Sequence, residues 1–393
     1  MAQNMDDGSI APAHPGGDVE EHLTLTEFQL RLADANAWLT GRTAMLEALG
    51  QVRELVVYSY GAKGRELAGA LRHRGVECLI FDNGAASRER ARVDGYQVVD
   101  RIDDDRPLVV AAGQNQIEIL AGLSRPAFNL GEAHFAFDLP APYGSGREVA
   151  AVAFERAEAL YETYQCLDAR SGASFLDVLE YRASMDVHRL KGRRPVSEMW
   201  IPPIDGLEIE SFCDIGAYDG DSLRAIKSAY PALRRSFTIE PNPALEKAVS
   251  RTAAEIGVTN SHFVGAAWRS HSRLDARTIP SGMFVIEEST AGNVRAERLD
   301  TLLAGEPFDY IKMDVEGTER QVIEGAPAAI ASANCVAVAG YHLPCDLIDL
   351  PRQMAGVLGG TFVEANPRGW RLAFAHYSQV FDDSIFYAWR HRA

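Results

Sequence analysis

The sequence predicts an α/β protein of two unequal units joined by helices, and three observations carry the prediction. Short β-branched, apolar runs alternate with amphipathic helical stretches along most of the chain, the pattern of mainly parallel sheets covered on both faces. Two of these runs end in glycine turns that open onto a helix, at residues 61–64 and 216–220. The last two runs, 370–376 and 384–389, have no helix between them, so they pair as a hairpin and give the second sheet an antiparallel edge.

A chain of 393 residues, against roughly 100–200 per domain, holds two or three domains with full-sized cores. Its 47% hydrophobic and 24% charged content is that of an ordinary globular protein. The formal net charge of −16 argues against a phosphate-tracking surface, so nucleic acid is not expected as a partner. Five cysteines lie far apart with no C-x-x-C pair, which points away from a zinc site or disulfide framework and towards reduced thiols in a cytoplasm. No window of about 20 apolar residues suggests a membrane span. Residues 1–24 read as a polar, disordered tail without a secretion signal.

From residue 25 to 49, Leu25, Phe28, Leu32, Leu39 and Leu46 recur at helical spacing and predict one or two helices. A strand over 54–60, a turn at 61–64, a helix over 65–74 and a strand over 76–82 then make a βαβ unit, continued by a helix near 87–93 and strands around 96–99 and 108–112. Its G-A-K-G turn lacks the full dinucleotide fingerprint, although Asp82 stands where a ribose-binding acid would. A structural turn and a nicotinamide or sugar-nucleotide site both stay open at this point. The unit is expected to span 25–146. Helical patterns over 147–167 and 173–185 form a connector that runs to residue 199, and Pro202 with Pro203 marks entry to the second unit, 200–393.

That unit is organised around the run S-F-C-D-I-G-A-Y-D-G-D-S, residues 211–222. A strand reaches Asp214, Gly216 and Gly220 form a tight turn, and a helix follows from Ser222, the geometry that aims backbone amides at a nucleotide-like ligand. Asp214, Asp219 and Asp221 surround the turn, which suits a ligand with a positive charge and ribose hydroxyls better than a pyrophosphate. The next strand ends in Glu240, 20 residues past Gly220, where a carboxylate reaches ribose hydroxyls. Asn242 is expected to cap the following helix, with Pro243 in its first position. Later elements are strands over 262–266, 308–314 and 336–341 and helices over 318–325 and 350–358.

Together these residues resemble the nucleoside-binding half of an S-adenosylmethionine-dependent methyltransferase of the seven-stranded Rossmann-like type. The run D-Y-I-K-M-D-V-E-G-T-E at 309–319, between R-L-D at 298–300 and V-I-E-G-A at 322–326, is similar to the FkbM family of methyltransferases. G-Y-H at 340–342, the segment 346–350, A-H-Y-S at 375–378 and I-F-Y-A at 385–388 agree with it. L-E-Y-R at 179–182 and W-I-P-P at 200–203 resemble the members that carry an additional N-terminal Rossmann-like domain. The resemblance implies S-adenosylmethionine as the cofactor, with Asp214, Gly216, Ala217, Tyr218, Gly220, Asp221, Glu240 and Ala266 as its binding residues and the third strand's V-G-A-A-W, 264–268, beside the adenine.

The implied reaction is O-methylation of a sugar hydroxyl, in a nucleotide sugar or a surface polysaccharide or glycan precursor. Holding donor and acceptor in line supplies roughly 7–11 kcal/mol in favourable cases, and a general base about 10²–10⁴-fold. Candidates at strand ends are His342, Asp314 and Glu316, of which His342 has the side chain best suited to a base near neutrality. Asp314 and Glu316, two apart, would share a face of an extended strand and could bind Mg²⁺. The preferred reading has no metal, with Asp314 orienting the sulfonium and Glu316 capping the helix from Thr318. Lys312 is expected to be structural or paired with an acid. Trp268, Trp370 and Tyr341 could line an acceptor pocket, although core packing is their commoner fate; Tyr218 is the aromatic expected at the site. Two other functions are kept open: a nicotinamide-dependent sugar oxidoreductase using the G-A-K-G turn, and a non-catalytic scaffold in glycan assembly. The sequence fixes neither the sugar nor the hydroxyl, and leaves a homo-oligomer open.

Overall fold

The computed structural model describes residues 22–141, 144–278, 284–289, 291–360, 362 and 369–390. The tail expected at 1–24 therefore lies, but for its last three residues, outside the described residues. The first helix, Leu25–Gly50, is a single one. Thr24 opens it with a capping box: its hydroxyl accepts from Glu27 N at 3.3 Å, and Glu27 Oε2 accepts from Thr24 N at 2.8 Å. Donors that a helix start would leave open are thus satisfied. Phe28, Leu32, Leu39 and Leu46 are buried, as their spacing requires.

A parallel five-stranded sheet follows, in the order Gln97–Val98, Glu77–Phe81, Glu54–Tyr58, Leu108–Val110, Phe128–Asn129. Two short helices, Gln116–Gly122 and Leu130–Ala136, complete this part. They are too short for periodicity to reveal, and the second owes its start to Asn129, whose side chain accepts from Glu132 N at 3.1 Å. The helical stretch read over 147–167 is broken at Arg156 into Gly146–Glu155 and Ala157–Tyr164.

Helix Ala169–Ser184 is capped by Asp168, whose Oδ1 accepts from Ser171 N at 2.7 Å. It packs between the first helix and the strand Arg371–His376. Phe175 meets Phe374 edge-on at 5.2 Å, and Tyr181 lies 5.0 Å from Phe381. One apolar cluster runs from Phe28 and Leu55 through Phe175 and Leu179 to Phe374 and Phe386, so the two sheets share a core.

The second sheet is mixed and has seven strands, in the order Thr259–Val264, Arg235–Glu240, Ser211–Ile215, Tyr310–Met313, Cys335–Ala339, Ser384–Trp389, Arg371–His376. The first five are parallel, and the last two form the expected antiparallel hairpin. Strand order reverses between Ser211–Ile215 and Tyr310–Met313, which opens a crevice at their carboxyl ends. One expectation is corrected. Asn242 Oδ1 accepts from Ala244 N at 3.1 Å and closes a turn of its own, so the following helix starts only at Glu246. Four strands absent from the sequence reading, Ala266–Ala267, Val294–Glu297, Ser272–Thr278 and Phe284–Glu288, make a small second sheet in this unit. Trp268, Leu274 and Ala296 form its buried cluster, which removes Trp268 from the candidate acceptor residues. Trp370, 1% exposed, belongs to the main core. Among the described residues, no helix is long and apolar enough to cross a membrane.

Candidate active site

The strand Ser211–Ile215 is buried at every residue, and its one carboxyl side chain, Asp214, is fully enclosed. Burial pushes that carboxyl up; Lys312, 3.0 Å away on the neighbouring strand, and the Ser222 hydroxyl oppose the shift. Lys312 also donates to Gly216 O at 2.6 Å, so the acid-paired lysine holds the glycine turn from beneath. Gly216 has φ +82°, and a β-carbon there would overlap Asp314 O. Gly220 has φ +88° and leads into helix Asp221–Ala229. Both glycines are required by backbone conformation, and the first also by close approach.

Glu240 closes the turn. Its Oε2 accepts from Tyr218 N at 3.0 Å and its Oε1 from Asn242 N at 2.9 Å. A carboxylate oxygen has further acceptor capacity, so the same group can still bind hydroxyls. Asp82 does the same in the first sheet, accepting from Tyr60 N at 2.6 Å and Gly84 N at 2.7 Å. The two units differ in what lies in the crevice. At the first sheet's switch point, Gln379 from the closing hairpin donates its N–H to Gly113 O at 3.0 Å, and its carbonyl accepts from Gln116 Nε2 at 2.6 Å. Its side-chain oxygen accepts from Ile117 N at 2.9 Å, and Lys63 of the G-A-K-G turn pairs with Asp382. The chain's own hairpin is thus bonded to the loop after the strand Leu108–Val110 and to the G-A-K-G turn.

The second sheet's crevice holds a cavity of about 390 Å³. Gly216, Tyr218, Asp221 and Glu240 line it from the turn and the second strand, Ala266 from the small four-stranded sheet, and Asp314 and Glu316 from the loop after the strand Tyr310–Met313. These expected residues are thus brought together. Asp214, Ala217 and Gly220 are not among the lining residues: Asp214 and Ala217 are fully buried behind the turn. Tyr218 is 59% exposed at the mouth. Sequence reasoning missed Met199, Trp200 and Ile286, which also line the cavity and whose apolar side chains carry no local signal.

His342 lies behind Asp314 and Glu316, 1% exposed. Its Nδ1 is 2.8 Å from Glu319 Oε1, and its Nε2 is 3.4 Å from Asp314 Oδ1 and 3.6 Å from Glu316 Oε2. Burial alone would lower the ring's pKa; the Glu319, Asp314 and Glu316 carboxylates outweigh it and hold the ring at about 10. These carboxylates favour the protonated form of the ring, in which both nitrogens donate. Glu316 precedes the helix Glu319–Glu324 by three residues. It sits at φ +57°, followed by Gly317 at φ +91°, and Glu319 is the residue that accepts from Val315 N, at 2.9 Å. Glu319 is the principal residue missed; its presence in D-V-E-G-T-E, five places after Asp314, was the available signal. Asp314 Oδ1 also accepts from the Tyr341 hydroxyl at 3.1 Å.

Residues 214–343, from the buried aspartate to just past this histidine, match the family model of the methyltransferase FkbM domain. The chain carries an FkbM methyltransferase domain. It is accordingly a methyltransferase, and the glycine turn, Glu240 and the D-V-E-G run all fall inside that domain. The crystal structure of methyltransferase FkbM from Methylobacillus flagellatus KT is similar over 93% of this chain and 100% of its own, at 18% identity and a TM-score of 0.67, which shows a common fold across both sheets. Two other solved methyltransferases match less of the chain. Precorrin-6y C5,15-methyltransferase from Geobacter metallireducens GS-15 covers 48% of it and 83% of itself at 13% identity and a TM-score of 0.27. The O-methyltransferase TomG from Streptomyces achromogenes covers 47% and 74% at 16% identity and a TM-score of 0.30. Comparison with curated proteins gives no match.

Proposed function

We propose that this FkbM-domain protein methylates a sugar hydroxyl, carried on a nucleotide sugar or a glycan precursor, with S-adenosylmethionine as donor. The observation that carries the donor assignment is Glu240, fixed by two backbone amides at the wall of a cavity that ends in the carboxylates Asp314 and Glu316. Glu240 would bind the ribose hydroxyls and Ala266 the adenine face, while the carboxylates suit a cationic centre. When bound, the donor supplies an electrophilic methyl group on a sulfonium.

The chain's own part is to bind, orient and take a proton. The transferred methyl loses its bond to sulfur and gains one to the acceptor oxygen, whose proton goes to a carboxylate. Asp314 and Glu316 are the groups that line the cavity for this, while His342 behind them stays charged and holds them in place. The acceptor being a sugar rests on family resemblance alone.

The nicotinamide alternative is disfavoured by Gln379, which occupies the first sheet's crevice. We assign residues 25–146 a supporting role, holding the closing hairpin beside the site. Calorimetric titration with S-adenosylmethionine, followed by a screen of nucleotide sugars and oligosaccharides with methyl-labelled donor, tests the proposal. Saturable donor binding and a labelled sugar are expected; binding of a nicotinamide nucleotide in place of the donor would overturn it.

A further inference from the structure

We infer that Trp200 is a positioning residue of the donor site: its ring holds the Lys312 ammonium beneath the glycine turn, clear of the cavity's carboxylates, and so keeps the cavity selective for a cationic ligand. The inference rests on the reading of the cavity as a site for S-adenosylmethionine. Trp200 lies outside the matched residues 214–343, in the segment between the helical connector and the second sheet.

Of the described residues that line the cavity, four are acids, Asp221, Glu240, Asp314 and Glu316, and Lys312 is the one cation. A loose ammonium there would act against a positively charged ligand twice, by repelling it and by pairing with a carboxylate that the ligand needs. Asp314 is the acid placed for such pairing. It stands two residues after Lys312 and still bonds in register, its N–H donating to Ile215 O at 3.0 Å, so the two side chains leave the same face of the sheet. Burial opposes the charge on Lys312, while Asp214 and then Asp314 favour it.

The ammonium is committed elsewhere. It has three N–H donors. Asp214 Oδ1 lies 3.0 Å from Nζ and Gly216 O 2.6 Å; the Trp200 ring supplies a third partner, its centroid 5.0 Å away. That is inside the ~6 Å over which an aromatic face attracts a cation. The ring is 5% exposed and the Lys312 side chain 3%, so the contact is made out of water, where this attraction is strongest.

The backbone delivers the ring at a cost. Trp200 has φ +69°, a left-handed conformation that bulky residues rarely adopt. A turn closed from Ile201 N to Glu198 O at 2.9 Å holds it there, and the Tyr310 hydroxyl donates to Trp200 O at 2.7 Å. Backbone strain of this kind persists where surrounding contacts enforce it, and such positions cluster at functional sites.

The test compares S-adenosylmethionine with S-adenosylhomocysteine, the neutral thioether left when the methyl group is gone, by calorimetry on the full-length protein. Trp200→Leu should raise the Kd for the cationic ligand about 5–30-fold and leave that for the neutral one nearly unchanged. Trp200→Phe, whose ring also attracts a cation, should retain most of the selectivity. Ring-fluorinated tryptophan guards against misfolding, since it keeps the side chain's shape and weakens only its π face: selectivity for the cationic ligand should fall as fluorines are added. Equal weakening of both ligands by Trp200→Leu would mean that the ring only fills space, and selectivity unmoved by fluorination would likewise overturn the inference. Absence of saturable S-adenosylmethionine binding by the parent protein would remove the donor assignment and this inference together, whereas binding by the parent with either of those outcomes removes this inference alone.

Discussion

The Lys312 ammonium bridges two parts of one turn: it lies 3.0 Å from Asp214 Oδ1 and donates to Gly216 O at 2.6 Å. A charge on the fourth strand of the second unit thereby fixes the end of the first strand and the loop that follows.

Both members of the pair are nearly sealed from water, with side chains 3% and 0% exposed. Lys312→Met would leave Asp214 buried without its counter-charge, at a cost of about 3–5 kcal/mol. Urea denaturation at neutral pH measures it. A loss below about 1 kcal/mol would mean that the pair behaves like a surface bridge.

Glu240→Ala removes the acceptor shared by Tyr218 N and Asn242 N together with the proposed ribose ligand. Hydrogen bonds to a charged group are each worth about 1.5–3 kcal/mol, so the Kd for S-adenosylmethionine should rise roughly 10–150-fold in calorimetry. Asp82→Ala, which frees the matching turn of the first sheet, should leave that Kd unchanged. Equal effects of the two substitutions would remove the distinction drawn between the crevices.

Gln116→Leu deprives the Gln379 carbonyl of its buried donor. Unsatisfied buried groups cost about 1–3 kcal/mol, so amide exchange across residues 377–383 should quicken roughly 5–150-fold while donor affinity stays constant. Lys63→Met, which breaks the pairing with Asp382, should act in the same direction. Unaltered exchange in both variants would show that the first sheet does not hold the hairpin.

His376 is 1% exposed, and burial, aided by nearby Arg182, lowers its pKa to about 3 from the usual 6.5. The unfolded chain therefore takes up this proton first on acidification. The contribution is fully present above about pH 6.5 and is lost as pH falls towards 3, by up to about 1.4 kcal/mol per unit. His376→Asn can keep the contact with Ser384 Oγ and should flatten the stability profile between pH 4 and 6.5 by about one proton, in denaturant titrations at each pH. An identical slope in parent and variant would exclude a neutral buried imidazole.

The elements that carry the site were legible because their signals are local. The apolar run into Asp214, the paired glycines and Glu240 follow from strand and turn chemistry within a few residues. The four-stranded insertion was not, because Arg273, Asp275, Arg277, Glu287 and Glu288 give its strands a polar surface that reads as loop. His342 was found by its place after a strand, yet its charge state depends on Glu319, 23 residues earlier and adjacent only in the fold. Gln379 stands in the first sheet's crevice through a contact 263 residues from Gln116, beyond any sequence window.

Gly216 leaves no room for a β-carbon against Asp314 O, so the turn on the donor side and the strand end bearing the carboxylates are wedged into one solid block. Such a block cannot open like a jaw between those strands. Exchange of a spent molecule for a fresh one then falls to the cavity's rim, where the Tyr218 ring, 59% exposed, is the side chain free to swing aside. Turnover in such an arrangement would be timed by one aromatic door rather than by movement of the frame around it.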